Sequence, residues 1–86
     1  MNKADLTKGT AVYYSGDMAN EEGFGSIIMV TEDRWGTHLH ILMNDGRTMV
    51  LAPHEFSDKY LGHGGTRFVT RAAYDEWKSN LFAKIA

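Results

Sequence analysis

Eighty-six residues are enough for one small domain, and 43% apolar against 23% charged is the balance of a chain that folds rather than one that stays disordered. The absence of cysteine removes disulfides, thiolate metal sites and cysteine nucleophiles, and a formal charge of −2 lacks the basic excess of a dedicated nucleic-acid binder. The first residues hold no apolar signal core and no run approaches the length of a membrane span, so a cytoplasmic chain without membrane contact is expected.

The first strand is expected over Gly9 to Ser15, β-branched and aromatic, ending at Gly16-Asp17. A polar loop over Asp17 to Glu22 leads to Gly23-Phe24-Gly25, whose two glycines predict a bulge or tight bend. The second strand follows over Ser26 to Thr31 and ends in the turn Glu32-Asp33-Arg34-Trp35-Gly36. Thr37 to Met43 and Thr48 to Ala52 then flank Asn44-Asp45-Gly46-Arg47, and Asp-Gly favours a two-residue type I′ hairpin. That loop pairs Met43 with Thr48, Ile41 with Val50 and Leu39 with Ala52 as the inner face. His38, His40, Leu42, Met49 and Leu51 fall on the outer face, which is apolar enough to need a cover.

Beyond Pro53 the chain turns through His54, Glu55 and Phe56, then crosses a loop from Ser57 to Thr66 that holds Gly62, Gly64 and Gly65. Arg67 to Val69 reads as a short strand. Thr70 is the N-cap of a helix over about Arg71 to Ile85, in which Tyr74, Trp77, Leu81 and Ile85 form one apolar stripe. Four or five short antiparallel strands and a terminal helix make a mainly β, α+β domain. Strands this short must curl or be covered, so the expected architecture is a small barrel over residues 8–69 with the helix, 70–86, packed on it in a single domain.

Lys8-Gly9-Thr10-Ala11-Val12, Gly16 and Gly23-Phe24-Gly25-Ser26-Ile27-Ile28 together resemble the opening of SH3-like barrels of the KOW and Tudor type. The resemblance spans residues 8–52 and implies an SH3-like barrel. KOW loops that touch RNA are basic, whereas the matching loop here carries Asp17, Glu21 and Glu22. Tudor-type barrels cage methylated cations with loop aromatics, and Tyr13 or Tyr14, Phe24 and Trp35 are the residues such a cage would use.

Among features that carry chemistry, His38 and His40 project from one strand face and with His54 or His63 would make a three-histidine metal site, yet no carboxylate stands at ligand spacing. No serine sits in a catalytic frame, and the Gly62-His63-Gly64-Gly65-Thr66 loop lacks the ending of a phosphate-binding loop. The leading expectation is therefore a non-enzymatic adaptor or inhibitor-type module that needs no cofactor or metal, a format shared with phage and mobile-element proteins. It would recognise another protein through the outer hairpin face and the Arg34-Trp35 turn, with Arg34, Trp35, His38, His40, Met49 and Tyr14 as binding residues and a homodimer as one form of partner. Two alternatives stand beside it. One is a nucleic-acid-binding KOW-type domain using Lys8, Arg34, Arg47 and Arg67 with Tyr14 or Trp35 for stacking. The other is a small oligomeric or histidine-metal enzyme built on His38 and His40.

Overall fold

The computed structural model describes residues 6–62 and 68–85. Five antiparallel strands and one helix follow in the expected order: β1 (Ala11–Tyr14), β2 (Gly23–Asp33), β3 (Gly36–Met43), β4 (Thr48–Leu51), a 3₁₀ turn at Pro53–Glu55, β5 (Phe68–Thr70) and α1 (Arg71–Ile85). The strands form one sheet in the order β4-β3-β2-β1-β5. The architecture is thus mainly β, α+β, with one open sheet that does not close into a barrel among the described residues. Where closure would fall, Phe56 makes a single parallel bridge to Phe68, and the Ser57 amide donates to the Phe68 carbonyl at 2.8 Å.

Alternation along each strand divides the side chains between two faces. Val12, Tyr14, Ile27, Leu39, Ile41 and Met43 point to one of them, where Leu6, Phe56 and Phe68 complete a buried cluster. On the other face Tyr13 lies opposite Phe24 on β2 and opposite Val69 on β5. The helix covers this side. Tyr74 places its ring centroid 4.1 Å from that of Tyr13, and the Arg71 guanidinium sits 4.0 Å above the Phe24 ring. Tyr60 closes against Trp77 at 4.8 Å, and Gly62 passes so near that a Cβ there would lie 2.4 Å from the Trp77 ring. The helix starts where expected, with Thr70 Oγ1 accepting the Ala73 amide at 3.2 Å. Its stripe docks only in part: Tyr74 and Trp77 are half-buried, whereas Leu81 is exposed. The Ile85 side chain, His63 and residues 64–67 lie outside the described part.

Two local expectations are corrected. The Gly23-Phe24-Gly25 run is regular strand, and the register shift falls between Ile27 and Met29 instead, making Ile28 the extra residue of a bulge. The β3–β4 connection is a three-residue loop. The Gly46 amide donates to the Met43 carbonyl at 2.9 Å, and the Met43 amide donates to the Arg47 carbonyl at 2.8 Å. Only Gly46 takes a positive φ, +95°, so Asn44-Asp45 form an ordinary turn closed by a glycine bulge, not a type I′ turn that needs φ > 0 at Asp45. The extra loop residue slides β4 by one position. Ile41 faces Met49 and Leu39 faces Leu51, so Met49 and Leu51 pack on the core while Val50 turns outward.

Candidate functional site

The longest strand pair outruns its neighbours. β1 pairs with β2 only over Gly23 to Ser26, and β4 pairs with β3 only over Leu39 to Leu42. Past these points β2 and β3 continue to Asp33 and Gly36 as a two-stranded arm with which no third strand pairs among the described residues.

Local hydrogen bonding holds the tip of the arm. Asp33 Oδ1 accepts the Trp35 amide at 2.8 Å, and Gly36 takes the positive φ, +122°, that returns the chain. The Asp33 carboxyl is held below its ordinary value chiefly by the Trp35 amide and then by His38, whose Nε2 lies 3.2 Å from Oδ2. Between these anchors the Arg34 guanidinium lies 4.1 Å from the centroid of the Trp35 ring. Trp35 is 74% exposed. It neither plugs the sheet end nor touches the core.

Down the outer face of the arm, Met29 pairs with His40, Ser26 with Leu42, and Val50 of β4 with His40 from the other side. His40 Nε2 and Thr31 Oγ1 are 2.9 Å apart, and Thr37 Oγ1 reaches Glu32 at 3.3 Å. The histidines are half-buried, while Met29, Leu42 and Val50 are exposed. The helix covers the β1 side of this face and leaves the β3–β4 side open.

Arg34, Trp35, His38 and His40 are thus brought together on one arm. Met49 and Tyr14 are not. Met49 faces the core because of the one-residue slide in β4. Tyr14 is buried, stacked on Phe68 at 4.5 Å, with its hydroxyl donating to Asp17 at 3.1 Å. In their place the surface holds Val50, which a two-residue loop would turn inward, and Met29, which follows the bulge in the unbroken apolar run of β2.

The other arrangements weighed from the sequence separate. Tyr13 and Phe24 pack on Tyr60 and Tyr74, at the opposite end of β2 from Trp35, so these aromatics fill one another's space and form no cage. The Tyr13 hydroxyl donates to Glu22, and burial together with that carboxylate pushes its pKa far above the ordinary range. His38 and His40 meet Asp33 and Thr31, and no group of three ligating side chains occurs among the described residues. Arg47 is committed to Asp45 at 2.7 Å. A recess of about 410 Å³ lies beside the helix start, lined by Thr10, Asp58, Thr70, Arg71 and Glu76 among others. No helix among the described residues is long and apolar enough to cross a membrane. No family model, curated protein or solved structure matches the chain.

Proposed function

We propose that this chain is a non-enzymatic module that recognises another protein through the β2–β3 arm, with Trp35 and Arg34 as the anchor and Met29, His38, His40, Leu42 and Val50 as the flanking face. The carrying observation is Trp35 itself. A tryptophan that contributes nothing to the core has its backbone fixed by the Asp33 carboxylate and the Gly36 turn, so little loop freedom is left to lose on contact. Tryptophan and arginine are the residue types that most often dominate binding energy at protein interfaces. The underlying architecture in this reading is SH3-like, supported by the 3₁₀ turn between β4 and β5 and by the return of β5 to pair with β1.

The test is capture from lysate of the source cells with tagged chain, split into nuclease-treated and untreated halves. A defined protein retained after nuclease, and held about thirtyfold more weakly by Trp35→Ala, is the expected result. Capture that vanishes with nuclease, or that Trp35→Ala leaves unchanged, overturns the reading. Trp35→Ala should unfold at the wild-type temperature, which separates lost contact from lost fold.

A further inference from the structure

We infer that a second copy of this chain pairs, antiparallel across a two-fold axis, with the uncovered rim of β2 over Ile28 to Glu32. β1 stops short of this rim. The residues leading into β1 make the last links to β2, the Gly9 amide to the Ile27 carbonyl at 2.7 Å and the Ile27 amide to the Thr10 carbonyl at 2.9 Å. The bulge at Ile28 follows, and no strand pairs with the outer rim beyond it among the described residues. Ile28, Met29 and Val30 follow in succession, exposed by 43%, 47% and 38%. A strand rim of this length with three β-branched residues is a template for another strand, which supplies backbone partners and covers the apolar side chains together.

The distribution of charge selects a second copy over an unrelated strand. Lys8 stands at the base of the arm, one residue before the Gly9–Ile27 link, and Glu32 and Asp33 stand at its far end. Two-fold rotation exchanges these ends. With Val30 near the axis, Ile28 of one copy lies opposite Glu32 of the other, and each acidic end arrives at the Lys8 of its mate. No like charges then lie directly opposite one another along the pair. The same patch meets itself, as a closed two-fold interface requires. The pairing runs along the rim of the arm and shares only Met29 with the proposed contact face, leaving the Arg34-Trp35 tip untouched, so the two are tested separately.

Sedimentation of the full chain over a concentration series tests it, alongside hydrogen exchange of the Ile28–Glu32 amides. A dimer is expected, with those amides slowing as the concentration rises. Lys8→Glu alone and Glu32→Lys alone should each weaken the dimer roughly tenfold, because each places like charges at both ends of the interface. The double variant Lys8→Glu with Glu32→Lys should restore it. A monomer at all concentrations up to about 1 mM overturns the inference. So does a dimer insensitive to the single reversals, one that the double reversal does not restore, or one abolished by Trp35→Ala.

Discussion

The register of β4 makes a prediction opposite to the one a two-residue Asp45-Gly46 loop would make. Met49 faces Ile41 and packs against the core, whereas Val50 is 57% exposed on the outer face. Lysine at position 49 therefore loses most of an apolar burial worth about 1.5–3 kcal/mol when complete. It recovers part through its methylene stem, but the ammonium must bend out to water. Because Met49 is only partly buried, a net cost of about 1 kcal/mol follows, and in a domain of this size that lowers Tm by roughly 5 °C. Lysine at position 50 removes a side chain already in solvent and places a charge on an edge strand, where natural sheets tolerate it, so the change should stay within about 0.5 kcal/mol. Urea unfolding followed by far-ultraviolet circular dichroism of both variants settles the order. If Val50→Lys proves the more destabilising, the three-residue loop and the outward face built on it are wrong.

Three further outcomes are expected. Gly25→Ala should cost about 2 kcal/mol, since the added Cβ would lie 2.6 Å from the Leu42 carbonyl oxygen and 2.9 Å from Met43 Cα, both backbone. Gly23→Ala meets only the mobile ends of Arg47 and Met43 at 3.3 Å and should leave the denaturation midpoint nearly unchanged; equal midpoints for the two variants would contradict the packing described. Thr70→Ala loses the contact to the Ala73 amide and should cost about 1 kcal/mol, with Thr70→Ser keeping most of it, as read by thermal unfolding. Asp33 has its folded-state pKa depressed below the ordinary 3.8, so its contribution is complete above pH 3.8 and is lost as pH falls through the lower folded value. The Trp35 amide resonance should therefore titrate below 3.8 in the wild type and lose that step in Asp33→Ala; titration at or above 3.8 would count against the turn.

Where one residue type at one position decided the local structure, the sequence was sufficient. Thr70 before an amphipathic run marked the helix start, and the alternation of Leu39, Ile41 and Met43 marked the core face of β3. Asp45-Gly46 failed because the pair fits two turns, and only the φ of Asp45 separates them. Glycine at the last loop position serves a three-residue hairpin as well as a two-residue one, and one residue of difference exchanges the faces of the whole of β4. The bulge at Ile28 was hidden for a related reason. Ile27, Ile28, Met29 and Val30 are all apolar, so the sequence holds no alternation that a skipped residue could break. Tyr14 was misplaced because an aromatic beside a loop reads equally well as core or as contact, and the stacking on Phe68 comes from a strand 54 residues later.

Element lengths explain what remains uncovered, and they also explain why the exposed arm and the stabilising core are separate in this molecule. At about 3.3 Å per residue, the 11 residues of β2 reach some 36 Å, whereas the 4 residues of β1 reach about 13 Å. The 15-residue helix is about 22 Å long and lies on β1 and on the 3 residues of β5. Both long elements must therefore overhang the short ones, and in each the overhang is exposed: Ile28 to Val30 and Trp35 on the arm, Leu81 and Phe82 on the helix. Hydrophobic periodicity tells which side of an element turns inward but not how far a neighbour extends beneath it, so the overhangs appear only when lengths are compared across the sheet. At its base the arm is rooted in Leu39 and Ile41, both fully buried, while its far half contributes nothing to that core. A substitution at Arg34, Trp35 or Met29 can thus alter what the arm touches while the cluster that holds the domain together stays intact.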